Sequence, residues 1–371
     1  MEFIDLKSQY EKYRIDIDSA IGKVLTHGRF IMGPEVLELE KYLAEYTGTK
    51  YCLSVASGTH SLEIALRALG VGPGDEVISV PFTWISTSEV ISLVGAKPVW
   101  VDIDPKTFNM DVGKLERAIS SRTKAIIPVS LFGQMAEYER IAEIAAMYGN
   151  IPVIEDGAQS FGATRNGVRS CACKNTTIAS TSFFPAKPLG CYGDGGALFT
   201  NDDDLYSRMK AIRTHGGERR HYHSYIGMNG RLDTIQAAVL LAKLPYFEDE
   251  VVARGRIGAR YTTLFQGVSG VEVPLVADGN TSVYAQYTIR VADRDGLGAK
   301  LKEVGIPTAQ YYPKCLHEQP VFNHLGYKWG DFPESEKASR EVLSLPMGPF
   351  LRESDQDFIV SIVKDVLNEL F

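Results

Sequence analysis

No stretch of this 371-residue chain reaches the roughly 18 to 20 consecutive apolar residues that a membrane span needs, so no membrane partner is expected. A surplus of positive charge is missing too. Lys plus Arg number 39 against 46 for Asp plus Glu, and the formal net charge of -7 excludes nucleic acid as a general partner, because a phosphate backbone demands a basic surface. Cysteine is scarce: the five residues at 52, 171, 173, 191 and 315 form no CxxC pair and no disulfide-framework spacing. Cys171-Ala-Cys173 is the one close pair, and no second ligand cluster completes it as a metal site. There is no internal repeat, no low-complexity segment and no long linker. The start, Met1-Glu-Phe-Ile-Asp-Leu-Lys, carries charge from residue 2, unlike a secretory leader. These absences point to a cytoplasmic protein with reduced thiols.

What is present is enough apolar material, 44% of residues, to bury a large core, and the length suggests two domains. Short β-rich runs alternate with helical patterns through about residue 245, the signature of an α/β domain with a largely parallel sheet. Strands are expected at Tyr51–Ala56, Glu76–Val80, Lys97–Val101, Thr123–Val129, Ile151–Glu155, Thr177–Ser182 and Ala197–Thr200. Several are nearly continuous Val/Ile runs, as strands covered on both faces require. Leu62, Ala65, Leu66 and Leu69 recur at helical spacing and stop at Gly70. After a helical segment at Leu232–Leu244 the pattern changes. Val283–Val291 alternates as an antiparallel strand would, and helices follow near Asp295–Val304 and Glu353–Glu369. The expected organisation is a large α/β domain over 1–245, with an N-terminal helical segment, and a smaller α+β domain over 246–371.

The most informative run is Ser182-Phe-Phe-Pro-Ala-Lys187-Pro-Leu-Gly-Cys-Tyr-Gly193-Asp-Gly-Gly196, a lone lysine among apolar and small residues between two strand-like segments. Stripping water from such a lysine disfavours its ammonium and frees the amine for carbonyl chemistry. Upstream, Ile151-Pro-Val-Ile-Glu-Asp156 reads as a buried strand ending in a carboxylate. A lysine nucleophile and a strand-end acid are what pyridoxal phosphate asks of a protein: the lysine bonds the aldehyde, and the acid keeps the pyridine nitrogen protonated.

Other residues fit around that pair. Ser57-Gly58-Thr59 sits at a strand-to-helix junction, where exposed N–H groups, hydroxyls and the helix dipole favour a phosphate, although an ordinary Ser N-cap looks the same. Ser182 is a second phosphate donor. Trp84, following a strand in Pro81-Phe-Thr-Trp84-Ile-Ser, could stack on the pyridine ring or belong to the core. Gln159 could bond the ring hydroxyl. Arg213, His215, Arg219, Arg220, His221 and His223 form a basic cluster, read either as a solvated loop or as an attractor of an anionic substrate such as a sugar-nucleotide pyrophosphate. Gly70-Val-Gly72-Pro-Gly74 leads into a strand and reads as a turn, and Asp102-Ile-Asp104 has no further ligands beside it.

With these residues placed, the chain resembles the DegT/StrS family of pyridoxal-phosphate-dependent nucleotide-sugar aminotransferases over essentially its whole length. The likeness rests on Phe3-Ile-Asp-Leu, Gly33-Pro-Glu-Val, Gly72-Pro-Gly-Asp-Glu-Val, Pro128-Val-Ser-Leu-Phe-Gly, Glu155-Asp-Gly-Ala-Gln-Ser-Phe-Gly and the lysine loop. The resemblance implies fold type I (aspartate aminotransferase-like), a homodimer with shared active sites, and L-glutamate as amino donor. It implies Lys187 as the Schiff-base lysine, where related sugar dehydratases carry histidine. It further implies Gly58, Thr59 and Ser182 as phosphate contacts, Trp84 as the stacking ring, Asp156 and Gln159 as ring contacts, and Asn229 as a contact to the neighbouring subunit's phosphate. Within the family the likeness is to members that aminate C3 of UDP-2-acetamido-2-deoxy-3-oxo-glucuronate for surface polysaccharide and lipopolysaccharide, carried by the lysine loop and by Ser282-Val-Tyr-Ala-Gln-Tyr-Thr288. On that match Gly28, Phe30, Arg231, Tyr311 and Tyr312 bind the sugar, Arg231 meeting its carboxylate. Three positions depart from the pattern: Ala186 stands for serine, Phe30 for tyrosine and Tyr311 for histidine. The other readings are a transaminase for a non-carboxylated 3-keto sugar such as UDP-3-keto-N-acetylglucosamine, one for a 4-keto sugar, and a catalytically idle nucleotide-sugar sensor. A sensor without cofactor would lack the visible absorption of pyridoxal phosphate.

Overall fold

The computed structural model describes residues 1–219 and 221–370. In chain order the helices are α1 (Leu6–His27), α2 (Pro34–Thr47), α3 (Gly58–Ala68), α4 (Ser86–Leu93), α5 (Val112–Ala118), α6 (Tyr138–Met147), α7 (Asp203–Arg213), α8 (Thr234–Leu264), α9 (Arg294–Glu303), α10 (Pro333–Glu341) and α11 (Glu353–Leu370). The strands of the main sheet are β1 (Tyr51–Val55), β2 (Glu76–Ser79), β3 (Lys97–Trp100), β4 (Thr123–Ile126), β5 (Ile154–Asp156), β8 (Ile178–Ser182) and β9 (Gly196–Thr200). Two small hairpins, β6 (Thr164–Arg165) with β7 (Val168–Arg169) and β10 (Gly217–Arg219) with β11 (Tyr222–His223), lie apart from it, and β12 (Tyr287–Arg290) pairs with β13 (Val342–Leu345).

The sheet runs β3-β2-β4 and, through the parallel bridges Ile126↔Val153 and Val129↔Asp156, continues as β5-β8-β9-β1. Only β9 is reversed, antiparallel to both β8 and β1. The expectation of a mostly parallel α/β sheet is met, and the structure is fold type I. Successive residues point to opposite faces. Val77, Ala125, Ile154, Ile178 and Leu198 enter a core with α3, α4 and α7, whereas Ile78 and Ile126 enter the core on the other face, with Leu115 and Ile141 of α5 and α6. Both faces are buried, which is why these strands read as unbroken apolar runs.

The expected strands are found, most within a residue of the predicted ends. Two elements differ. The helix expected to stop at Leu244 is one 31-residue helix through Pro245 to Leu264. Proline removes one backbone bond, but α8 is packed along its length by α1 and α2, and tertiary contact outweighs the local break. The strand expected over Val283–Val291 is confined to Tyr287–Arg290, because Tyr284 takes a left-handed φ of 40° that interrupts extension. A separate core of Ile257, Tyr261, Tyr287, Ile289, Leu343, Leu345, Ile359 and Val363 joins the second half of α8 to β12, β13 and α11. Among the described residues no helix is long and apolar enough to cross a membrane.

Candidate active site

The carboxyl ends of β1, β2, β5 and β8 open on one side of the sheet, where ligands bind in open α/β folds. Asp156 ends β5 and is 5% exposed. Its Oδ2 accepts from the Thr87 hydroxyl at 2.9 Å, and its Oδ1 from the Ala158 N–H at 3.2 Å. Burial raises its pKa above the usual aspartate value; the two donors and the charge of Lys187 pull the other way. Lys187 sits half-buried on the turn between β8 and β9, its N–H donating to the Phe184 carbonyl at 2.8 Å. Burial pushes its amine below the usual lysine value, and Asp156 offsets part of that. The charge of each group thus offsets part of the other's desolvation.

Around them, Gln159 is fixed at both ends: Oε1 accepts from the Phe132 N–H at 2.8 Å, and Nε2 donates to the Tyr312 hydroxyl at 3.2 Å. The Tyr312 ring lies 6.2 Å from Phe82 and 6.0 Å from Trp84, making an aromatic wall whose outer member, Trp84, is 59% exposed. Burial drives the Tyr312 phenol well above its usual pKa, so it stays protonated. Tyr311 adjoins it, its ring 6.2 Å from Phe3.

Helix α3 begins at Gly58, with the Ser57 hydroxyl accepting from the His60 N–H at 3.1 Å. The first amides of a helix have no acceptor within it. The Thr59 hydroxyl meets Ser86 at 2.8 Å, and Gly58 lies so near Ser182 that an added Cβ would stand 2.8 Å from that side chain. Gly58 and Ser182 thus meet, with Thr59 next in the chain and paired to Ser86.

The remaining predicted residues are more dispersed. The Ala56 N–H donates to the Gly230 carbonyl at 2.9 Å, which lays the segment of Asn229 and Arg231 beside the end of β1. Arg231 lines a cleft of about 460 Å³ with Ser57, His60, Asp194 and Gln236, and among the described residues its buried Nε has no hydrogen-bond partner. Gly28 ends α1 with φ 67°, and the Phe30 carbonyl accepts from the Thr234 N–H at 3.0 Å. Among the described residues no hydrogen bond joins Gly28, Phe30 or Asn229 to Lys187 or Asp156.

Arg213 corrects the reading of the basic cluster. It is 2% exposed, and its guanidinium donates to Glu40 at 2.6 Å and to the Ser54 carbonyl at 2.8 Å, so it cannot meet a substrate. Arg219 covers the Tyr222 ring at 4.8 Å, and Arg220 lies outside the described residues. Cys171 and Cys173 are buried free thiols, and among the described residues no group of three His, Cys, Asp or Glu side chains converges as a metal site requires. Asp102 accepts from the Glu334 and Ser335 N–H groups at the start of α10, a capping role. Thr87 and Ser86 were not singled out from sequence. Their only signal is a pair of hydroxyl residues following Trp84, and spacing alone does not tell a helix start from a support for Asp156.

Residues 12–364 match the DegT/DnrJ/EryC1/StrS aminotransferase family. The chain belongs to that family. It is 53% identical over 351 residues, 95% of this chain and 96% of the relative, to the UDP-2-acetamido-2-deoxy-3-oxo-D-glucuronate aminotransferase of Pseudomonas aeruginosa. It is 38% identical over 365 residues, 98% and 97% of the two chains, to the UDP-N-acetyl-3-dehydro-alpha-D-glucosamine 3-aminotransferase of Acidithiobacillus ferrooxidans. The crystal structure of a DegT DnrJ EryC1 StrS aminotransferase from Brucella abortus superposes with a TM-score of 0.94 at 47% identity, covering 98% of this chain and 99% of that one. The protein is a pyridoxal-phosphate-dependent aminotransferase. Its own residues fit that cofactor. Gly58 leaves a cradle that a Cβ would fill, Lys187 has a depressed amine, and Asp156 is a buried acid whose raised pKa a cationic ring nitrogen would bring down.

Proposed function

We propose that the enzyme moves an amino group from L-glutamate to C3 of a UDP-linked 3-keto sugar, UDP-2-acetamido-2-deoxy-3-oxo-glucuronate or a close relative, in the cytoplasm, for surface polysaccharide. The observation that carries this reading is the 53% identity to the Pseudomonas aeruginosa enzyme along almost the whole of both chains. Pyridoxal phosphate supplies the aldehyde that carries the amino group between the two substrates and the ring that takes up the electrons of the Cα–H bond. The protein's part is to hold and move protons. Lys187, with its amine held below the usual value, is the nucleophile and afterwards the base and acid at the reacting carbons. Asp156, steadied by Thr87 and Ala158, would face the ring nitrogen and keep it protonated. Gly58, Thr59 and Ser182 would hold the phosphate, Trp84 would cover the ring, and Gln159 and Tyr312 would offer their remaining donors to ring and substrate.

Asn229 belongs, in this reading, to the site of a second subunit in a homodimer. Arg231, whose Nε has no partner among the described residues, suits a sugar carboxylate. Gly28 and Phe30 at the end of α1, with Tyr311, complete the sugar pocket. A second reading, amination of the sugar without the carboxylate, draws on the 38% identity to the Acidithiobacillus ferrooxidans enzyme and on the altered positions 30, 186 and 311.

The test is an assay with glutamate and each 3-oxo UDP-sugar in turn. The carboxylated sugar is expected to win by at least about 100-fold in kcat/KM, since a site built around a charged group rejects the analogue that lacks it. Arg231→Ala should erase the preference, and Lys187→Ala should abolish turnover with either sugar. Undiminished turnover by Lys187→Ala overturns the mechanism; equal rates on both sugars overturn the substrate.

A further inference from the structure

One buried cation faces the lysine loop from behind. Lys243, on α8, is 4% exposed, and its Nζ donates to the carbonyl of Gly190, three residues beyond Lys187. Two turns earlier on the same face of α8, the Gln236 Oε1 accepts from the Tyr192 N–H at 2.8 Å. The Tyr192 ring lies 5.6 Å from the Lys243 ammonium and meets Tyr10 of α1 edge-on at 6.3 Å. The loop is tight within itself. Cys191 donates its N–H to the Phe183 carbonyl, and Gly190 lies so close to Pro185 that a Cβ there would strike the Pro185 carbonyl. A displacement at the Gly190 carbonyl therefore reaches the turn that carries Lys187.

Burying an ammonium is costly, and an apolar side chain of similar volume would serve a helix interior as well or better. The fold nevertheless surrounds this one with support. Glu250, two turns along α8, attracts it and is itself held by both bonds from Gln9 of α1, each 2.9 Å.

We propose that Lys243 is a positioning residue for transamination: by holding the Gly190 carbonyl it fixes the turn that aims Lys187 at the cofactor beside Asp156. The proposal rests on the reading of Lys187 as the reacting amine. Lys187→Ala separates the two, because its loss of turnover beside a Lys243→Met enzyme of wild-type behaviour would sink only the positioning role.

The experiment compares wild type, Lys243→Met, Lys243→Arg and Gln236→Leu as holoenzymes. Read-outs are kcat and KM for glutamate, the pH midpoint of the visible cofactor band, and the thermal midpoint of the cofactor-free protein. Glu250, Arg254, Cys191 and Tyr192 around position 243, Asp156, whose charge acts on Lys187, and Tyr312, whose phenol faces Asp156, stay the same in every variant, so a moved midpoint reports the setting of Lys187. Lys243→Met is expected to lose about 10- to 100-fold in kcat, with KM for glutamate nearly unchanged, as a small misplacement of a reacting group does. Its band midpoint should shift by about half a pH unit or more. Lys243→Arg should recover part of both, and the cofactor-free thermal midpoint should stay at the wild-type value. A folded Lys243→Met with wild-type kcat and band overturns the proposal, as does a loss of kcat matched by a fall in that thermal midpoint. If Lys243→Met does not fold, Gln236→Leu decides: a smaller shift in the same direction supports the role, and none overturns it.

Discussion

Asp156 is oriented by two donors from different parts of the chain, the Thr87 hydroxyl on α4 and the Ala158 N–H just beyond its own strand. Both stabilise the ionised form against the desolvation that raises its pKa. Thr87→Val keeps the shape and removes one donor to a buried charge, a change worth about 1.5–3 kcal/mol. We expect kcat to fall by roughly 10- to 100-fold, with the visible cofactor band displaced; an unmoved band and rate would remove Thr87 from the site. The neighbouring Glu155 behaves differently. It is 2% exposed, accepts from the Ser170 hydroxyl at 2.6 Å and the Cys171 N–H at 3.1 Å, and burial pushes its carboxyl up to about 7. A carboxyl raised in the folded state favours folding below the unfolded pKa, and this contribution is lost as pH rises through the folded value. Wild type should therefore lose stability between about pH 4.5 and 7 relative to Glu155→Gln, which accepts the same bonds without ionising, by up to about 3 kcal/mol. Urea unfolding of both proteins at pH 5 and pH 8 measures this, and identical pH slopes would refute it.

At the scale of elements, the reversed strand β9 decides the site's form. Its first residue, Gly196, stands at the carboxyl end of the sheet, where an added Cβ would meet the Ser57 carbonyl and the Gly58 nitrogen. The start of α3 can thus close against the lysine loop. Gly58→Ala places a methyl 2.8 Å from the Ser182 Cβ, and overpacking of that kind costs about 1–3 kcal/mol. It should also weaken pyridoxal phosphate binding, read by fluorescence titration of the cofactor-free variant, while a wild-type affinity would show that the junction does not hold the phosphate. Much at this scale was legible in the chain. The lysine loop lies between β8 and β9 as its flanking residues imply, and Asp156 ends a strand. The extension of α8 past Pro245 was not legible, since local chemistry stops the helix there and packing by α1 and α2 carries it on. Nor was the fate of Arg213, which any count of basic residues places on a loop and which Glu40, 173 positions away, draws into the core.

At the scale of the whole molecule, large apolar side chains stand exposed at Trp84 and Phe184 beside the site, and at Tyr222, Tyr225 and Ile226 of the segment that leads into Asn229, the last at 84%. Exposed apolar groups of this size suit an interaction surface, and the homodimer proposed above would cover them. The protein should sediment at twice the 40.9 kDa of one chain. Ile226→Asp should shift it toward the monomer and lower activity in step with dissociation, because a charge in an apolar contact must be desolvated without a partner. An active monomer would show that each subunit carries a complete site.

The sequence by itself determined the strands, the strand-end acid, the lysine loop and the family, because these depend on residue types at short spacing: apolar runs that two covered faces demand, glycines where backbone must pass, one lysine where none is needed for solubility. Only the tertiary structure decided which hydroxyl steadies Asp156, which cation grips the lysine loop, and which arginine is spent on Glu40. Those partners lie 53 to 173 residues apart, and desolvation and hydrogen-bond geometry are properties of the packed interior rather than of any segment within it.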